Sequence, residues 1–170
     1  MRNPARFTEY IEHTDLKGLL TSLHTHGLSS LLAQVEHFTA NEAEHRDEIV
    51  LGYLGKEGLA RIVNTVAEEI TLNPIVENPA ILDVGAGIGT LTIPIMSSIR
   101  EALPKATFYA MDLTPAMLTV LAQRTPYLTP FIGLAENIPG SIRCARKYIS
   151  IPDMFLSLIH ISEPTRQAEI

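Results

Sequence analysis

The sequence predicts an α/β fold: a doubly wound parallel sheet, incomplete in this chain, preceded by an N-terminal helical region. Three observations carry that reading. From residue 80 onward, short apolar runs alternate with helix-length stretches across short turns, the pattern of parallel strands joined by crossover helices. The first of those runs ends in a glycine cluster, Asp83-Val84-Gly85-Ala86-Gly87-Ile88-Gly89-Thr90. Residues 1–73 show helical periodicity instead.

In that first region, Asn3 before Pro4 is a capping residue followed by proline at the first helical position. Phe7, Tyr10 and Ile11 then share a face. Asp15 can cap a second helix bearing Leu16, Leu19, Leu20 and Leu23, with Gly27 as its stop. Ser29 or Ser30 restarts the chain, and Leu31, Leu32, Val35 and Phe38 form the next stripe. The charged run 41–48 reads as a solvated helical face. A break is expected near Gly55, and Ile62, Val63, Val66, Ala67 and Ile70 give an amphipathic stripe after it. Asn73, Pro74, Asn78 and Pro79 mark a linker.

Beyond the linker, 80–84 reads as a buried strand and 90–103 as a helix. A second strand over 106–111 ends at Asp112, and Thr114 caps a helix over 115–124. A third strand is expected over 128–134, a third helix over 141–146, and the start of a fourth strand over 148–151. The predicted units are a helical region, 1–73, and an α/β part, 78–155.

The 170 residues suit one domain, and a hydrophobic content of 46% can fill a core. The net charge of −6 and the lack of a basic stripe argue against a surface that tracks nucleic-acid phosphates. A lone cysteine, Cys144, excludes an internal disulfide framework and suits a reducing cytoplasm. The N-terminus has no apolar h-region, and no apolar run approaches the ~18 residues of a membrane span.

The glycine cluster carries the chemistry. A strand turning sharply into a helix needs glycines for positive φ and for close approach of a ligand to the backbone. The helix that follows presents a partial positive charge. A nucleotide-like ligand therefore fits at the carboxyl end of the sheet. Dinucleotide folds want Gly-x-Gly-x-x-Gly; here Gly89 arrives one residue early and Thr90 holds the third position. Asp83, two residues before the first glycine, is the second departure.

Asp83-x-Gly85-x-Gly87-x-Gly89 resembles motif I of class I S-adenosylmethionine-dependent methyltransferases, whose Rossmann-like sheet has seven strands. The resemblance implies that Gly85, Ala86, Gly87 and Gly89 lie under the methionine part of S-adenosylmethionine, with Asp83 holding the turn and the amino-acid end. Asp112, closing the second strand, can accept from both ribose hydroxyls. Dinucleotide folds use an acid there too, so the surrounding run, with Leu113, Thr114 and Pro115, carries more of the likeness. Gly133-Leu134-Ala135-Glu136 resembles the stretch that passes the adenine, which implies roles for Ala135 and Glu136. Leu134 departs from the pattern, since many members have Asp there. The resemblance covers residues 78–140.

The run Leu156 to Arg166 resembles, letter for letter, the translation of a transposase-type sequencing adapter. Residues 156–170 are accordingly expected to stand outside the fold, and the methyltransferase chain as given to be truncated and inactive. Pro164–Ile170 should lack consistent packing. Any order over 156–161 should follow from its apolar character.

No catalytic base is assigned. Asp153 falls where family members sometimes place an active-site acid. No metal site is expected: His24 and His26, two residues apart, do not share a helix face. Cys144 lacks a readable catalytic partner, and Arg143, Arg146 and Lys147 read as solvated surface. The expected function is methyl transfer from S-adenosylmethionine to a small-molecule acceptor, with the N-terminal helices as a lid or homodimer contact. The alternatives are methylation of protein or nucleic acid, an NAD(P)-dependent oxidoreductase, and a cofactor-binding protein without catalysis.

Overall fold

The computed structural model describes residues 4–23, 32–33, 35, 42–43, 45–72, 76–152 and 157–160. Asn3, Gly27, Ser29, Ser30, Leu31, Phe38, Asn73, Pro74 and Asp153 lie outside the described residues, as do His24, His26 and the tail from Ile161.

Two helices open the chain, α1 (Pro4–His13) and α2 (Leu16–Leu23). Asp15 caps α2 as expected, its Oδ1 accepting from the Gly18 N–H at 3.0 Å. Helix α3 (Arg46–Leu72) is interrupted where expected, at Gly55, whose φ of 64° and ψ of 170° leave the helical region. A residue without Cβ takes that geometry readily.

Strand β1 (Ala80–Val84) is buried throughout and leads through the glycine turn into α4 (Thr92–Ala102). Then come β2 (Thr107–Asp112), α5 (Pro115–Arg124), β3 (Leu128–Ile132), a 3-10 turn at Ala135–Asn137, α6 (Ile138–Ala145) and β4 (Ser157–His160). The strands are parallel in the order β3-β2-β1-β4, with Ile81 opposite Phe108 and Phe108 opposite Leu128. The chain thus runs outward from β1 to β3 and then crosses to the other side of β1. In open α/β sheets, ligands bind outside the carboxyl ends of the strands at such a reversal.

Two expectations are corrected. Residues 148–151 are not a strand. Ala145 holds them in a helix-terminal turn, its carbonyl accepting the N–H groups of Tyr148 and Ile149, each at 3.0 Å. The Arg146 guanidinium then donates to the carbonyls of Ile151 and Pro152, so Arg146 is not simply solvated surface. The fourth strand is Ser157–His160, paired with 81–84 of β1 and falling within 156–161, where any order is expected to follow from apolar character.

One hydrophobic core joins both regions. Ile81, Leu82 and Val84 of β1 meet Ile95, Met96 and Ile99 of α4 and Leu118 and Leu121 of α5, with Phe7, Tyr10 and Ala67 from the N-terminal helices. Helix α1 lies at the free edge of β3. There the Ile132 N–H donates to the Tyr10 hydroxyl at 3.2 Å. Pro130, also on β3, offers no N–H, which fits an edge strand.

Burial pushes the Tyr10 hydroxyl up to about 12. The unfolded chain releases that proton near pH 10 and the folded chain near 12, so stability should fall across that window as pH rises. Tyr10→Phe should remove this alkaline loss. It should also cost about 1–3 kcal/mol at neutral pH, because the buried Ile132 N–H loses its partner. Urea unfolding at pH 7 and pH 11 checks both. Equal stability at pH 7 would mean that the Ile132 bond contributes nothing.

Among the described residues, no helix is long and apolar enough to cross a membrane.

Candidate functional site

The glycine turn is built from backbone conformation first. Gly85, Gly87 and Gly89 have φ of 81°, 54° and 87°, and among the described residues only Gly55 joins them at positive φ. The turn folds back on β2: the N–H groups of Gly85 and Ala86 donate to the Met111 carbonyl at 2.8 and 3.1 Å. The Gly89 N–H donates to the Ala86 carbonyl at 3.0 Å.

Asp112 closes the turn from the neighbouring strand. Its Oδ2 accepts the Gly87 N–H at 2.9 Å and its Oδ1 accepts the Thr114 N–H at 2.8 Å. One half-buried carboxylate therefore ties the turn to the start of α5. Thr114 stands at the N-cap position, as expected, but makes no side-chain capping bond; Asp112 takes its N–H instead.

Asp83 is buried at 3% exposure. It accepts the Thr92 hydroxyl at 2.5 Å, which fixes the end of β1 to the first turn of α4. Thr92 Oγ1 also lies 3.3 Å from the Ala86 carbonyl. Asp83 thus supports the turn from beneath, out of contact with solvent.

The three glycines are not equivalent. A Cβ at Gly89 would lie 2.4 Å from Leu121 Cδ1 and 2.9 Å from Ile93 Cδ1, so this glycine lets the turn sit on the core. A Cβ at Gly85 would meet nothing within 4 Å. Gly85 faces open space.

The stretch after β3 folds tightly. Gly133 donates to the Asp112 carbonyl at 3.0 Å, and a Cβ there would lie 2.4 Å from Met111 Sδ and 2.6 Å from Ser141 Cβ. The Leu134 N–H donates to Ser141 Oγ at 2.9 Å, and Ser141 Oγ donates to the Asn137 carbonyl at 2.8 Å. Leu134 is buried against Leu20 of α2, with Leu113 packed on the same cluster. Ala135 and Glu136 are exposed.

The structure brings Asp83, Gly85, Ala86, Gly87, Gly89 and Asp112 into one hydrogen-bonded unit. Leu113 sits beside it, and Ala135 and Glu136 stand one strand further out at the same end of the sheet. Sequence reading missed Thr92, Ser141, Asp47 and Arg124. Thr92 could have been found as a hydroxyl in the first turn of the helix after motif I. Asp47 could not, being 43 residues from its partner Thr90.

A cavity of about 540 Å³ lies elsewhere, at the amino end of β3, between Phe7, Tyr10, Pro126, Leu128 and Tyr148. Among the described residues, no group of three or more His, Cys, Asp and Glu could hold a metal ion.

No family model matches the chain, and no curated protein sequence does. Solved structures do. A candidate S-adenosyl-L-methionine-dependent methyltransferase of Methanococcus maripaludis is 22% identical over 59% of this chain and 44% of its own, with a TM-score of 0.43. The CurJ carbon methyltransferase is 15% identical over 93% of this chain and 42% of its own, at 0.49. CalS10, an amino pentose methyltransferase of Micromonospora echinaspora solved with S-adenosylmethionine bound, is 19% identical over 74% and 42%, at 0.39. The chain spans less than half the length of each of these solved structures.

Proposed function

We propose that this chain carries the cofactor-binding half of a class I S-adenosylmethionine-dependent methyltransferase acting on a small-molecule acceptor. One observation carries the reading. The N–H groups of Gly85, Ala86, Gly87 and Gly89 all donate within the protein, while Gly85 faces open space. A pyrophosphate at a glycine turn draws on such N–H groups. Here they hold the turn's shape, so the turn offers close approach more than anion binding. That suits the methionine part of S-adenosylmethionine better than a dinucleotide's phosphates, and it agrees with Gly89 being one residue early.

The residues fit the cofactor chemically. A carboxylate has about four acceptor sites, so Asp112 can receive ribose hydroxyls beside its two backbone bonds. Leu113 offers an apolar surface at the same strand end. With Leu134 buried under α2, an adenine here would meet Glu136, backbone groups or nothing polar. S-adenosylmethionine, when bound, supplies a methyl group on a sulfonium. The chain's part is binding and orientation. Asp83 and Thr92 keep the turn in place, and Asp112 fixes its distance from β2. The net charge of −6 disfavours a nucleic-acid acceptor, which supports the small-molecule reading over that alternative.

Isothermal titration with S-adenosylmethionine and, separately, with NAD tests the reading. Binding of the first and not the second is expected. NAD binding alone would move the chain to the oxidoreductases, and binding of neither would remove the cofactor assignment.

A further inference from the structure

The charged run 41–48 is exposed at Glu42, His45 and Glu48, as a solvated face would be, but not at every described residue. Ala43 is fully buried against Ile88 of the glycine turn and Met117 of α5. One turn further on, Asp47 Oδ1 accepts the hydroxyl of Thr90, the residue after Gly89. Its Oδ2 pairs with the Arg124 guanidinium at 2.7 Å. The same guanidinium nitrogen lies 3.4 Å from the Ile88 carbonyl, so Arg124 also donates weakly into the turn. One carboxylate therefore joins the start of α3, the far end of the glycine turn and the last residue of α5.

We infer that Asp47 is a positioning residue for the cofactor turn, holding Thr90 and Ile88 in the geometry that receives the ligand. The inference rests on reading that turn as the S-adenosylmethionine site. Two physical arguments support it. The Asp47 and Arg124 side chains are 33% and 30% exposed, and ion pairs open to water contribute little to global stability. The contact's consequence is therefore local. Second, the break at Gly55 separates 46–54 from 56–72, whose Ile62, Val63 and Val66 pack on the core. The first segment can thus bear on the turn without being a rigid extension of the second. Asp112 holds the turn at Gly87 and Asp47 holds it at Thr90, so the two carboxylates bracket Ile88 and Gly89. A turn already held in its binding geometry loses less conformational freedom when the ligand arrives.

The test uses the full chain with Asp47→Ala, Asp47→Glu and Thr90→Val. Amide hydrogen exchange of residues 85–92 without ligand reads the latch, and titration with S-adenosylmethionine reads its use. Asp47→Ala should speed exchange in that segment about tenfold, leave β1, β2 and β3 as protected as before, and raise the Kd about tenfold, which is about 1.4 kcal/mol. Asp47→Glu should recover part of both. A merely structural role would speed exchange throughout instead. Unchanged exchange over 85–92 overturns the inference, as does a loosened turn with undiminished affinity. If the wild-type chain binds no S-adenosylmethionine while Asp47→Ala still loosens the turn, the latch stands and the ligand reading falls. Should Asp47→Ala fail to fold, Thr90→Val decides, because it keeps the ion pair and removes only the hydroxyl.

Discussion

Asp112→Ala should reduce S-adenosylmethionine binding by a hundredfold or more. Two losses combine. The ribose hydroxyls lose a charged acceptor, and hydrogen bonds to a charged group contribute about 1.5–3 kcal/mol each. The Gly87 N–H also loses its 2.9 Å partner, so the turn keeps only the Gly85 and Ala86 bonds to the Met111 carbonyl of β2. At about 1.4 kcal/mol per factor of ten, even the lower figure for two hydroxyls gives roughly a hundredfold. Asp112→Asn separates the contributions. Its amide oxygen can still accept one backbone N–H, but it brings no charge to the ribose. Calorimetric titration of both variants, with circular dichroism to show that the sheet persists, checks this. An unaltered Kd in Asp112→Ala would remove Asp112 from the site.

The second large effect concerns stability. Gly89→Ala should destabilise the fold by ~2–5 kcal/mol. Holding an L-residue at φ 87° costs about 1–2 kcal/mol. Overpacking adds about 1–3 kcal/mol, because the new methyl would lie 2.4 Å from Leu121 Cδ1 and Leu121 is fully buried. Gly85→Ala carries the same kind of backbone strain, at φ 81°, but its methyl enters open space. It should cost ~1–2 kcal/mol of stability and act mainly on the ligand. Gly85→Val, bulkier and β-branched, should abolish binding. Urea unfolding midpoints rank the first pair. Equal destabilisation by the two alanines would contradict the packing assigned to Gly89. Normal binding by Gly85→Val would mean that the glycine motif is misread.

The sequence by itself determined the parallel α/β arrangement and the end of the sheet at which the glycine turn lies. The reason is local. Strand and helix periods, the alternation of elements and three glycines at odd positions constrain the backbone within a few residues of themselves. Helix starts could be read the same way, as Asp15 capping α2 and Gly55 breaking α3 illustrate. That Asp83, Gly85, Gly87, Gly89 and Asp112 belong to one strand-end unit was legible for that reason.

What only the tertiary structure decided depends on contacts between residues far apart in the chain. The sequence placed a fourth strand over 148–151, on the apolar Ile149 and Ile151. Hydrogen bonds from Arg146 and to the Ala145 carbonyl make that stretch a turn, and β1 pairs with Ser157–His160 instead. Asp112 looked like a ligand contact alone, yet across 25 residues it also holds Gly87. Asp47 looked like one charge among several on an exposed helix. Its meaning comes from Thr90 and Arg124, and no local pattern encodes an ion pair between the start of one helix and the end of another. Periodicity says which face of an element is apolar. Which polar side chain meets which is settled only when the elements pack.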